Sequence, residues 1–334
     1  MAKHTFTRKL AAIALTGALS LTLLSGCVKN SYLVVGKQTV NMPVVMKVGS
    51  HNVSMEEYRY FYLNTKYQLD GGDDSVWEQE GADDKKELLR THVEDTIKSN
   101  YALMDLAKEK GVSLTADERK SISDNLASIK ENYESEEAFE EALAQNYLTE
   151  EVYLSMGEMS TLQQKLTEKL TGDGGEIPMG DDVVTQYVKD NYVRAKHVLI
   201  TSATENAEQV ANEVAQKAAA GEDFDSLIST YGEDPGMTQS PDGYYFTKNE
   251  MVAEFEEAAF ALPENSVSGV VESSFGYHII QRLPLDDAYI QENLSTYTST
   301  YKTAKVYEQI EKVMDGYKVT YDKNYDLIDV DTVK

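Results

Sequence analysis

The chain has 334 residues, 41% of them hydrophobic, enough to pack two domains. Its 57 acidic and 31 basic residues give a formal charge of −26, which argues against a nucleic-acid-binding surface or one that holds anionic lipid by charge. Cys27 is the only cysteine, so an internal disulfide is excluded and packing must stabilise the fold.

Lys3, Arg8 and Lys9 make a basic start, and Leu10 to Leu24 form an uncharged, mostly apolar run. That run suits a signal peptide better than a membrane span, which needs about 20 residues. It ends in Leu24-Ser25-Gly26-Cys27, which resembles a bacterial lipobox. The resemblance implies a signal peptide over 1–26, cleavage before Cys27, and a diacylglyceryl group on its thiol. An ordinary secretory signal is the alternative. Removing 1–26 takes away three basic residues and no acid, so the charge moves from −26 to −29. Residues 27–43 carry little helical pattern and read as a tether.

Val44 to Val53 is β-rich, with a turn expected near Gly49 and Asn52. Ser54 and Glu57 have capping-box spacing, and Met55, Tyr58, Phe61 and Tyr62 follow on one helical face. Leu69 to Lys86 reads as a polar loop containing Trp77. A second helix is expected from Glu87 to Lys110, with Leu88, Val93, Ile97 and Tyr101 inward. Helices follow from Thr115, a second capping box with Glu118, from Ser135 to Asn146, and from Thr149 to Leu170. The glycines and proline of 172–178 mark a boundary.

After a short helix, Asp182 to Asn191, the pattern becomes α+β. Strands are expected over Arg194–Ile200, Tyr244–Phe246, Val267–Val271 and Tyr277–Leu283. Helices are expected over Glu205–Ala220, Asp223–Tyr231 and Val252–Ala261. A long helix should run from Asp287 to Asp315, and the tail from Tyr317 should form a strand able to pair with Val44–Val53.

Three segments carry the chemistry: Arg194-Ala-Lys-His-Val-Leu-Ile200, Phe246 with the run from Glu250 to Phe260, and Phe275-Gly-Tyr-His-Ile-Ile280. In this order they resemble the parvulin family of peptidyl-prolyl isomerases. The resemblance implies an α+β domain over 190–285, with a four-stranded antiparallel sheet and flanking helices. It implies that His197 and His278 pair beneath a proline pocket lined by Met251 and Phe255, and that Asp234 faces the substrate carbonyl. Each residue also has a plainer reading: core packing for Met251 and Phe255, a satisfied buried pair for the histidines, and turn chemistry for Glu233-Asp234-Pro235-Gly236. The sequence departs from the family where Gly243 or Tyr244 replaces a pocket leucine. It departs again where Phe275 stands in place of a small hydroxyl residue, for which Ser273 or Ser274 could substitute.

Residues 44–180 and 286–334 resemble the helical chaperone module of PrsA and SurA-type proteins, made from both ends of the chain around an inserted isomerase. The 22 tyrosines suit loose contact with varied chains. The expected function is a lipid-anchored foldase outside the cytoplasm that isomerises peptidyl-prolyl bonds and assists the folding of exported proteins. The alternative is an ATP-independent holdase with a degenerate isomerase domain. Expected partners are unfolded exported proteins with X-Pro bonds and the membrane reached through Cys27. No cofactor, metal or nucleic acid is expected, and a homodimer is left open.

Overall fold

In the computed structural model, which describes residues 31–333, the chain opens with a hairpin of β1 (Tyr32–Val35) and β2 (Gln38–Asn41). The tether expected over 27–43 is thus folded in its described part, because Leu33 and Met42 are fully buried in the neighbouring core. Burying side chains of this size stabilises by about 1.5–3 kcal/mol each. The signal peptide and Cys27 lie outside the described residues.

β3 (Val44–Val48) and β4 (His51–Ser54) form a second hairpin. Its turn uses Gly49 at φ +57°, where an added Cβ would lie 2.9 Å from the Tyr317 ring. Ser54 caps α1 (Met55–Asp70) by accepting the Glu57 N–H at 3.1 Å. The Glu57 side chain accepts a hydrogen bond from the Tyr101 hydroxyl, and the expected capping box is only half made. Trp77 sits in a 3-10 turn and donates Nε1–H to Asp70 at 2.7 Å. α2 (Ala82–Glu109) begins five residues before Glu87 and buries Leu89, leaving Leu88 exposed. α3 (Ala116–Lys130) has both halves of the Thr115–Glu118 capping box. α4 (Glu136–Gln145) and α5 (Glu150–Thr171) complete this helical series.

α6 (Asp181–Asn191) leads into β5 (Val193–Thr201), α7 (Ala207–Ala219), α8 (Phe224–Tyr231) and a short α9 (Pro235–Gln239). β6 (Tyr244–Phe246), α10 (Ala253–Ala261), β7 (Ser266–Val267), β8 (Val271–Ser273) and β9 (Gly276–Leu283) follow. The sheet is antiparallel and four strands wide, ordered β6-β5-β9, with β7 and β8 sharing the outer side of β9. The strand expected over Val267–Val271 is therefore broken. At the break the Ser268 hydroxyl accepts the Ile280 N–H at 2.8 Å.

The two-residue period of β5 and β9 divides the sheet between two cores. Val198, Ile200 and Ile279 pack with α7 and α8, whereas Val193, Ala195 and Ile280 pack with Phe255 and Ala259 of α10. The long helix expected from Asp287 to Asp315 breaks at Asn293 into α11 (Asp287–Glu292) and α12 (Leu294–Met314). β10 (Val319–Tyr321) then pairs antiparallel with β3, joining Val319 to Val48.

The chain divides into two compact units, residues 179–301, and residues 31–178 together with 302–333. The first unit is wider than the domain expected over 190–285. Aromatic contacts hold its extra ends: Tyr187 to Tyr301 at 5.1 Å, Tyr192 to Tyr297 at 5.2 Å and Tyr245 to Tyr289 at 4.0 Å between ring centroids. In the other unit Ile328 and Val333, near the end of the chain, share one core with Leu33, Tyr58 and Val93.

Candidate active site

β5 and β9 bring two histidines to one sheet face. His197 is paired in register with Ile280, and His278 with Leu199, so they are diagonal neighbours on the α10 side. Both are buried, and their Nδ1 atoms lie 3.1 Å apart. Phe255, from the first turns of α10, stands edge-on to both imidazoles, at 5.1 Å from His197 and 5.4 Å from His278. The far end of α10 is fixed by Arg282, whose Nη1 donates to the carbonyls of Phe260 and Leu262 at 2.9 Å.

Asp234 enters from the other side. The Glu233–Gly236 segment is a helix start rather than a simple turn: Asp234 caps α9, with Pro235 at its first position and the Gly236 N–H donated to Oδ1 at 2.9 Å. Its Oδ2 lies 2.7 Å from His197 Nε2 and accepts the Tyr244 hydroxyl at 2.7 Å. On the opposite flank Ser273 Oγ lies 2.7 Å from His278 Nε2 and accepts the Phe275 N–H at 3.1 Å.

These contacts fix the protons. Burial pushes His197 below the usual imidazole range against the pull of Asp234. Burial and the neighbouring His197 push His278 down to about 4. Burial would raise Asp234, but donors from Tyr244, Gly236 and His197 outweigh it and hold the carboxyl below its ordinary value. At neutral pH the short His197–Asp234 contact is thus a neutral N–H on a carboxylate, not an ion pair. His197 Nε2–H donates to Asp234, so its Nδ1 must accept from His278 Nδ1–H, and His278 Nε2 must accept from the Ser273 hydroxyl. One directed chain of hydrogen bonds runs from Ser273 to Asp234.

Of the residues expected at the site, His197, His278, Asp234, Phe255, Tyr244 and Ser273 are joined by these contacts. Met251 packs on the same cluster as Phe255. It precedes α10, so the two are not on one helical face as the spacing implied. Ser274 and Phe275 are exposed, Phe275 at 60%, and neither contacts the histidine pair because the turn before β9 points them outward. Gly243 contributes backbone alone: at φ +96° an added Cβ would sit 3.0 Å from the Ala195 carbonyl. Sequence reasoning missed the Gly236 N–H and the Arg282 brace. The Asp-Pro-Gly run was a usable signal for the first; nothing local marked the second. Among the described residues no group of three or more His, Cys, Asp or Glu gathers as a metal site.

Residues 183–283 match the family model of the PPIC-type PPIase domain, and residues 3–167 that of the SurA-like N-terminal domain. The foldase protein PrsA of Geobacillus sp. (strain WCH70) is 30% identical over 300 residues, covering 86% of this chain and 90% of that protein. The chain belongs to the PrsA foldase family. A PrsA of Oceanobacillus iheyensis is 36% identical over 161 residues, 48% of this chain and 51% of the relative. The PrsA of Caldanaerobacter subterraneus subsp. tengcongensis is 26% identical over 255 residues, 73% and 74% of the two chains. As a PrsA foldase the chain is a peptidyl-prolyl cis–trans isomerase whose substrates are proteins and whose work is to assist their folding. The holdase-only alternative is not favoured. No helix among the described residues is long and apolar enough to cross a membrane.

Proposed function

We propose that isomerisation occurs over the face of Phe255, Met251 and Tyr244, with Asp234 as the charged group nearest the twisting amide. Rotation about X–Pro is slowed by amide resonance, a barrier of about 18–20 kcal/mol. No bond need break. Phe255 and Met251 grip the pyrrolidine ring while the preceding carbonyl turns. The planar amide carries partial negative charge on its oxygen, and an ionised Asp234 beside it disfavours that planar form relative to the twisted one. His197, His278 and Ser273 orient the aspartate, and none acts as a nucleophile. Ser274 and Phe275, on the exposed turn, border the path of the substrate chain.

The observation that supports this most is the directed chain Ser273–His278–His197–Asp234, with the buried Phe255 ring edge-on to both of its histidines. A core pair without catalytic duty would not require an ionised aspartate at its end. Substrates are exported proteins in unfolded or partly folded states, met outside the cytoplasm. The signal peptide over 1–26 is removed, and a diacylglyceryl group on Cys27 holds the chain to the outer face of the membrane. The helical unit, 31–178 with 302–333, is the chaperone module, and no cofactor takes part.

The test is isomerisation of an Ala-Xaa-Pro-Phe peptide by the full-length protein. Acceleration is expected, with Asp234→Ala lowering kcat/KM at least tenfold. An unchanged rate in that variant removes the aspartate from the mechanism. Mass spectrometry of the cell-derived N-terminal peptide, with Cys27→Ser releasing the protein to the medium, tests the anchor.

A further inference from the structure

Tyr244 is among the departures from the parvulin pattern, and its hydroxyl does more than fill space. It donates to Asp234 Oδ2 at 2.7 Å, the same oxygen that faces His197 Nε2 at 2.7 Å. The backbone around it is adapted to that reach. Gly236, two residues beyond Asp234, lies so close that an added Cβ would stand 1.9 Å from the Tyr244 hydroxyl. Gly243, just before it, takes the left-handed conformation at φ +96° beside β5. β6 is only three residues long, registered with Ala195 opposite Tyr244, so the phenol is aimed from a rigid sheet position across to the start of α9.

From this geometry we infer that Tyr244 is a positioning residue for isomerisation: its hydroxyl fixes the rotamer and the ionised state of Asp234. This rests on the reading of Asp234 as the charged group of the reaction. The Gly236 N–H holds Oδ1 and His197 holds Oδ2; the phenol adds a second donor on Oδ2 from the opposite strand, which narrows the carboxylate to one rotamer and adds to the stabilisation of its charge. The groups facing Asp234 are His197 from β5, Tyr244 from β6 and, through His197, His278 from β9, with Glu254 of α10 near His278. Its neighbour Glu233 is occupied elsewhere, with the Thr201 N–H and the Thr204 hydroxyl at 2.6 Å. The hydroxyl of Tyr244 is therefore the donor whose removal leaves the histidine pair in place while loosening the aspartate.

The experiment compares wild type, Tyr244→Phe and Asp234→Ala in the full-length protein, using the X-Pro peptide assay and carbon NMR of the Asp234 carboxyl from about pH 2, below the ordinary carboxyl range, to about pH 8. Tyr244→Phe keeps the ring. It is expected to lower kcat three- to tenfold with little change in KM, to move the acid limb of the rate profile upward, and to raise the Asp234 titration midpoint. A melting temperature within a few degrees of wild type shows that the fold is kept. If it falls further, the carboxyl titration of the folded fraction still decides. An Asp234 midpoint and acid limb unchanged in Tyr244→Phe overturn the inference, whatever happens to the rate. If Asp234→Ala itself leaves catalysis intact, the underlying reading of the aspartate fails instead.

Discussion

The two units of this chain each contain a histidine, an aspartate and a tyrosine joined in the same way. In the isomerase unit His197 Nε2 and the Tyr244 hydroxyl meet Asp234 Oδ2 at 2.7 Å each. In the helical unit His51 Nε2 and the Tyr317 hydroxyl meet Asp105 Oδ2 at 3.0 and 2.7 Å. What surrounds each triad separates their uses. His197 is buried, linked to a second histidine and set under Phe255, with Asp234 at the end of a proton-ordered chain. His51 lies flat on Tyr101 at 4.4 Å, and its aspartate is 36% exposed. That second triad ties the β3–β4 turn and the start of the C-terminal return to α2. The same three side chains thus form the proposed reaction site in one setting and a clasp in the other, because electrostatic influence depends on burial and on a neighbouring apolar surface.

The largest way to test this contrast is to remove the aromatic neighbour. Phe255→Ala should cost about 3–5 kcal/mol of stability in the isomerase unit and bring catalysis near background, measured by peptide isomerisation and urea unfolding. A variant that isomerises normally would mean that the histidine chain works without its apolar cover.

The helical unit offers an effect of comparable size through pH. Burial pushes Glu57 up to about 8, although the Tyr101 hydroxyl and, less, the nearby Ser54 backbone amide pull it down. Its folded value lies above the unfolded one, so its contribution is full below about pH 4.5 and is lost as pH rises toward 8. The slope in that window approaches about 1.4 kcal/mol per pH unit. Fluorescence of Trp77, the single tryptophan, reports the unfolding of this unit, and Glu57→Gln should remove that slope. A wild-type profile matching the variant would show that Glu57 stays ionised.

Asp105→Ala should destabilise the helical unit by about 1–3 kcal/mol while leaving peptide isomerisation unchanged. A fall in isomerisation would break the distinction between clasp and site. The smallest effect concerns the histidines. His278 is depressed to about 4 by burial and by His197, so its contribution to stability is full above the ordinary imidazole range and is lost progressively as pH falls from that range to about 4. Histidine titration by proton NMR should show no imidazolium at His278 between pH 5 and 8.

Much of the isomerase unit could be read along the chain because its signals are local and periodic. Arg194 to Ile200 is a strand-length run that turns apolar at Val198 as a strand buried on both faces does, and Phe275 to Ile280 places His278 at a fixed step. Met251 illustrates the limit of such reasoning: four-residue spacing implies a shared helical face only if the helix has begun, and α10 starts at Ala253. The hairpin at 32–41 shows a different limit. Tyr32 to Val35, Gly36 and Thr39-Val40 carry strand and turn signals that the tether reading passes over, and the burial of Leu33 and Met42 depends on a core assembled from distant segments.

Sequence alone determined the α+β class of the isomerase, the order of its strands and helices, and the capping of α3. Tertiary structure decided the direction of the hydrogen-bond chain, the choice of Ser273 over Ser274, the reach of Tyr244 to Asp234 and the outward turn of Phe275. The first set follows from nearest-neighbour sterics and from periodic burial, which the chain carries in every window of a few turns. The second set depends on distances between groups tens of residues apart, fixed only when register and packing bring the strands together.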